Sequence, residues 1–89
     1  MQPIFSETSE AQISPKASKL CKLGIEIAEK GDYKTALIYL ERALDLEPKF
    51  TQALYNYASI QKYLGNNEES YVFFQRLLKV NPGDFEARL

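Results

Sequence analysis

Residues 17–50 read ASKLCKLGIEIAEKGDYKTALIYLERALDLEPKF, and their apolar residues follow the period of an α-helix twice. In the first half, Leu20, Leu23, Gly24 and Ile27 recur at the i, i+3, i+4, i+7 spacing. This spacing places side chains on one face of a helix, since an α-helix has 3.6 residues per turn. The first half is therefore predicted to be an amphipathic helix that begins at Ser14-Pro15, where serine can cap and proline is tolerated.

A break at Gly31-Asp32 separates the two halves, and the helical spacing then resumes. The second apolar set comprises Ala36, Leu37, Leu40, Ala43 and Leu44. Pro48 ends the pattern, because the residue before a proline is pushed out of the helical region. Residues 16–47 are therefore predicted to form a helical hairpin.

The same plan returns at a fixed distance along the chain. The residue pairs that are 34 positions apart are Leu20 and Leu54, Gly31 and Gly65, Arg42 and Arg76, Leu44 and Leu78, and Pro48 and Pro82. A constant period of this size indicates stacked helical repeats, each of which is one supersecondary unit. A second helical hairpin is therefore predicted after the first.

The first unit resembles the tetratricopeptide repeat family. The residues that carry the resemblance are Leu20, the pair Leu23-Gly24, the turn Gly31-Asp32-Tyr33, the small residues Ala36 and Ala43, and Pro48. The resemblance implies an all-α fold of two helix-turn-helix repeats in a right-handed α-α superhelix. The repeats would be residues 17–50 and 51–84, within a repeat region of 15–84.

Two flanking segments lie outside the repeats. Residues 1–14 mix polar residues with isolated apolar ones and are expected to be a flexible tail. Residues 85–89 are similar to the start of a further helix, either a capping helix or a truncated one. Because a repeat cannot bury its own apolar face, one side of the second hairpin is expected to stay open.

The composition argues against several functional classes. Eleven basic and twelve acidic residues nearly cancel, so no nucleic-acid partner is expected. The chain has no histidine and a single cysteine, Cys21, which removes the usual general base and the ligands of a zinc site. We expect no cofactor, no metal and no enzymatic activity.

No apolar run approaches the roughly 20 residues that cross a bilayer, and residues 1–10 lack the basic start and apolar block of a signal peptide. We therefore expect no membrane span. The cytoplasm, or another soluble intracellular compartment, is the expected location.

The family resemblance implies a non-catalytic adaptor or scaffold that holds a peptide or helix of a partner protein in a groove lined by the first helix of each repeat. The groove residues would be Cys21, Lys22, Ile25, Glu29, Tyr55, Asn56, Ser59, Lys62 and Tyr63. Each of these positions is equally compatible with an ordinary solvated helix surface. Some family members bind the terminal carboxylate of chaperones, but Cys21 and Ile25 replace the lysine and asparagine of that clamp, so this ligand is not expected.

A self-association module is the alternative function. The helix that contains Tyr71, Phe73 and Phe74 is rich in aromatic residues, and those that face the missing neighbour would be exposed to water. A homodimer through this face would set the oligomeric state of a larger complex.

Overall fold

The computed structural model describes residues 13–81, in which four α-helices follow one another and no β-strand occurs. The helices are α1 (Pro15–Glu29), α2 (Tyr33–Leu46), α3 (Thr51–Tyr63) and α4 (Asn67–Val80). The predicted all-α architecture of two helix-turn-helix repeats is confirmed. Residues 1–12 of the predicted tail and residues 82–89, with the predicted start of a further helix, lie outside the described range.

The beginning of α1 has the capping arrangement that its sequence predicts. The Ser14 side-chain oxygen accepts hydrogen bonds from the backbone N–H groups of Lys16 at 3.1 Å and Ala17 at 3.3 Å. These bonds satisfy two of the donors that a helix start leaves unpaired. The backbone N–H of Ser14 donates to a Glu47 carboxylate oxygen at 3.0 Å, which joins the start of α1 to the end of α2.

Both hairpins turn at a glycine in the left-handed region. Gly31 has φ of +94° and Gly65 has φ of +88°, a backbone conformation that residues with a side chain rarely adopt. In each turn the following residue, Asp32 or Asn66, donates its backbone N–H to a carbonyl five residues earlier. This pattern satisfies carbonyls at the end of a helix, which explains why the glycine recurs with the period of the repeat.

Helices α1 and α2 cross closely at Gly24. A methyl group built on Gly24 would lie 3.0 Å from Cγ of Leu40 and 3.2 Å from the backbone oxygen of Ala36. Ala36 and Leu40 are both fully buried. The absence of a side chain at Gly24 therefore permits the distance at which the two helices pack.

The core runs through all four helices. Its fully buried apolar residues are Ala17, Cys21, Ala36, Leu40, Ala43, Ala53, Leu54 and Ala58. Helix α3 packs on α2 and also contacts α1, so that the first hairpin is covered by the first helix of the second. The alternation of small residues with leucines allows the helices to approach while leucine fills the remaining space.

We predict that Gly24→Val destabilises the fold by about 1–3 kcal/mol, because the added atoms overpack the crossing against Leu40 and Ala36. Chemical denaturation followed by helical circular dichroism measures this change. Glu26→Val is the matched control, since it introduces the same side chain at an exposed position of α1. Equal stability of the two variants would contradict the tight crossing.

Candidate partner-binding surface

Helices α1 and α3 present equivalent faces beside each other. On α1 this face carries Lys22, Ile25 and Glu29, and on α3 it carries the residues 34 positions later, Asn56, Ser59 and Tyr63. In each helix the three positions recur at spacings of three and four and therefore share one side. We call these six residues the α1–α3 face.

The α1–α3 face combines charge, polarity and an aromatic ring. Lys22 and Glu29 are exposed, whereas Ile25 is half-buried and packs against the core. Tyr63 is 73% exposed, yet its ring lies 4.9 Å from the ring of Tyr33. Such a ring is held in place by its neighbour and still offers apolar surface to a ligand.

The α3 half of this face carries uncharged hydrogen-bonding groups. The Asn56 side-chain nitrogen donates to the backbone oxygen of Gln52 at 2.8 Å. This bond holds the amide against its own helix. Ser59, one turn further on, is half-buried and lies on the same side of α3.

Cys21 is not available to a partner, which corrects its predicted place in the groove. Its side chain is fully buried within the hydrophobic core. Burial raises the pKa of the Cys21 thiol from its ordinary 9.0 to about 11. The thiol is therefore a core group, and its contribution to stability is lost as the pH rises from about 9 toward 11.

Two other predicted groove residues, Tyr55 and Lys62, lie on a different side of α3. They stand 34 positions after Cys21, which is fully buried, and Ala28, which is half-buried. No described helix covers the equivalent side of α3, and Tyr55 is 53% exposed where Cys21 is fully buried. The predicted groove is thus divided between two surfaces.

The predicted oligomer face belongs in part to this second surface. Tyr71, Phe74 and Leu78 on α4 correspond by the 34-residue period to Leu37, Leu40 and Leu44 on α2. Leu40 and Leu44 are 0% and 6% exposed, whereas Phe74 and Leu78 are only half-buried and Tyr71 is 66% exposed.

Tyr55 joins this uncovered set, because its ring lies 6.1 Å from that of Phe74 in an edge-on arrangement. We call Tyr55, Tyr71, Phe74 and Leu78 the end face. It brings together one predicted groove residue and two residues of the predicted oligomer face.

Phe73 points elsewhere. Its ring lies 4.2 Å from the ring of Tyr57 on α3, and the guanidinium carbon of Arg76 lies 4.7 Å from the centre of the Phe73 ring. The Arg76 side chain also donates to the backbone oxygen of Pro48 at 3.3 Å. Phe73 therefore helps to join α4 to α3 and is separated from Tyr71, with which it was grouped.

A polar network, which the sequence analysis did not predict, connects the two repeats. The Tyr57 hydroxyl donates to a Glu41 carboxylate oxygen at 3.1 Å and accepts from the Gln61 amide at 3.3 Å. The Asn66 side-chain nitrogen donates to the Gln61 side-chain oxygen at 2.7 Å. Burial, together with the bond and negative charge of Glu41, raises the pKa of Tyr57. The only signal in the sequence was Gln61 itself, a polar residue whose side chain the fold buries.

Among residues 13–81, no group of three or more histidine, cysteine, aspartate or glutamate side chains is arranged to hold a metal ion. None of the described helices has both the length and the apolar character needed to cross a membrane.

The family model described as tetratricopeptide repeat matches residues 28–89, well over half of the chain. The chain belongs to the tetratricopeptide repeat family. Repeats of this family generally mediate protein–protein interactions, and the two helical hairpins described above are its structural unit.

Several curated proteins are similar to this tetratricopeptide repeat chain. An uncharacterized protein of Methanocaldococcus jannaschii is 38% identical over 65 residues, which is 73% of this chain and 76% of the relative. The photosystem I assembly protein Ycf3 of Acaryochloris marina is 30% identical over 84 residues, with 79% of this chain and 51% of that protein covered. Ycf3 of Synechococcus elongatus is 42% identical over 50 residues, 56% of this chain and 29% of that protein. The chain thus spans about half or less of these assembly proteins.

We predict that the Cys21 thiol reacts with an aromatic disulfide reagent far more slowly than a free cysteine, because the side chain is buried and its thiolate is disfavoured. Denaturant should restore the reaction in step with unfolding, which absorbance of the released thiolate and circular dichroism measure together. Rapid labelling of the native protein would contradict the burial of Cys21.

We also predict that Tyr57→Phe destabilises the protein by about 1–3 kcal/mol, because the buried Gln61 amide loses its acceptor and Glu41 its donor. Tyr63→Phe removes a hydroxyl from an exposed ring and should change stability by less than about 0.5 kcal/mol. Urea denaturation of both variants measures the difference, and equal midpoints would argue against a stabilising network.

Proposed function

We propose that this chain is a non-catalytic adaptor that binds a peptide or helix of a partner protein along the α1–α3 face. The observation that carries the proposal is the alignment of equivalent faces on two neighbouring helices, with exposed Lys22, Glu29 and Tyr63 around a half-buried Ile25. Such a surface offers an apolar contact together with groups that fix the direction of a ligand.

The hydrogen bonds and packing of the hairpins support binding by a surface that already has its shape. The Ser14 cap, the two glycine turns and the Tyr57 network hold α1 and α3 in place without a ligand. A preformed surface loses little conformational entropy on binding, so more of the contact energy appears as affinity. The partner segment then carries most of the ordering cost.

The chemistry of the α1–α3 face favours a ligand with mixed character. Lys22 and Glu29 lie on α1 about two turns apart and carry opposite charges, so a complementary peptide would present an acid and a base at a similar separation. On α3, Ser59 and Asn56 offer hydrogen bonds and Tyr63 an aromatic surface. Lys62, on the neighbouring side of α3, adds a positive charge at the edge.

The relatives support a role in bringing proteins together, since two of them are by name assembly proteins of photosystem I. We propose for this chain only the general part of that role, the holding of one protein segment by another. A soluble intracellular location stays a prediction.

Self-association is the second candidate function, and the observation in its favour is the exposure of Tyr71 beside the half-buried Phe74 and Leu78. An apolar set that is covered in the first repeat and uncovered in the second is a natural contact for another helix. Under this proposal the chain would link two copies of a larger assembly.

The groove proposal is tested with linear peptides selected from a displayed random library on the intact protein. Ser59→Arg places a long charged side chain in the middle of the α1–α3 face, and we expect it to weaken the selected peptides by about tenfold or more. Ile38→Arg introduces the same side chain on α2, at an exposed position outside this face, and should leave the affinity unchanged.

Fluorescence anisotropy of labelled peptides gives both Kd values, and circular dichroism verifies that each variant is folded. Selected peptides that bind Ser59→Arg as well as the wild type, but lose affinity for Ile38→Arg, would move the binding site to another surface and refute the proposal.

A further inference from the structure

Helix α4 exposes a stripe of side chains that runs its whole length. Positions 68, 72, 75 and 79 follow one another at spacings of four, three and four, so they lie on one side of the helix. Glu68, Val72 and Lys79 are exposed, Gln75 is partly exposed, and the exposed Tyr71 lies next to them. We call these five residues the outer stripe.

The outer stripe continues into the end face, and this continuity distinguishes α4 from α2. On α2, the corresponding outward residue Ile38 is exposed, but Leu37 beside it is half-buried and Leu40 is fully buried. On α4, the exposed Val72 and Tyr71 adjoin the half-buried Phe74 and Leu78 without an intervening helix in the described part of the chain. The larger uncovered apolar surface is therefore on α4.

The spacing of the outer stripe is symmetric. The intervals four, three, four read the same in both directions, with the midpoint between Phe73 and Phe74. If a second α4 lies antiparallel against the first, Glu68 of each copy is opposite Lys79 of the other. Val72 is then opposite Gln75. The stripe thus matches itself under a two-fold rotation, which is the requirement for a closed dimer interface.

The charges of α4 favour antiparallel over parallel pairing of two copies of this helix. Its first turn contains Glu68 and Glu69, and its last turn contains Lys79. Antiparallel pairing brings acidic and basic ends together and also opposes the two helix dipoles favourably. Parallel pairing would place the two acidic turns side by side.

From these observations we propose that a second copy of this chain covers α4, with the two α4 helices antiparallel and Glu68 of each copy paired with Lys79 of the other. The inference rests on self-association, the second candidate function, and specifies its surface. The α1–α3 face lies on other helices and stays open, so the dimer would present two binding surfaces. A partner with two copies of the recognised segment would then bind with avidity.

The test measures molar mass of the full chain by sedimentation over a wide concentration range. We expect a concentration-dependent dimer for the wild type. Glu68→Lys alone and Lys79→Glu alone each oppose like charges at both symmetric contacts and should raise the dimer Kd by about tenfold. An equimolar mixture of the two variants should restore the wild-type affinity, because both contacts between unlike chains are again of opposite charge.

Lys34→Glu is the matched control, since Lys34 stands 34 positions before Glu68 in the exposed first turn of α2. It should leave the dimer Kd unchanged, and Tyr71→Ala should raise it. Circular dichroism verifies the fold of every variant.

A dimer that Lys34→Glu weakens, or that the mixture fails to restore, would overturn the antiparallel α4 arrangement while leaving self-association intact. A monomer at every concentration would overturn both, and would assign the end face to another segment of the chain or to a different protein. Neither result affects the peptide-binding test of the α1–α3 face.

Discussion

A single helical hairpin cannot bury all of its apolar side chains. The structure therefore depends on the contact that α3 makes with the first hairpin. In the first hairpin Cys21 and Leu40 are fully buried, and Leu44 is nearly so. Removing such side chains from water stabilises a fold by roughly 1.5–3 kcal/mol for each leucine. The same contact is absent from the outer side of the second hairpin among the described residues, and the exposure of Tyr55 and Tyr71 follows directly.

This asymmetry gives the two surfaces different physical roles. The α1–α3 face exists because two repeats place equivalent positions in line, and its charged residues Lys22 and Glu29 are exposed. The end face is the side of the second hairpin that no helix of residues 13–81 covers, and its residues are largely apolar or aromatic. Tyr55 and Phe74 belong to the second kind, since the positions equivalent to them in the first repeat, Cys21 and Leu40, are core residues.

The sequence was sufficient to predict the fold, because the apolar period, the glycine turns and the prolines repeat together and each has a local physical cause. It also located the start of α1 at Ser14-Pro15. The division of the site was harder to predict. Cys21 was predicted to be a groove residue from its family position, but its side chain is fully buried in the core that the packed helices form. Phe73 and Phe74 are adjacent in sequence yet contact different tyrosines, a distinction that only the packing of α4 on α3 reveals.

The network around Tyr57 limits how far the two repeats can shift relative to each other. Apolar side chains between helices tolerate small sliding and rotation, since dispersion contacts are weakly directional. Hydrogen bonds from Tyr57 to Glu41 and from Gln61 to Tyr57 are directional. Displacement of a helix would therefore leave buried polar atoms without hydrogen-bond partners. The bonds therefore fix the orientation of α3 relative to α2. Through the first hairpin they also fix how the α1 and α3 halves of the α1–α3 face are aligned.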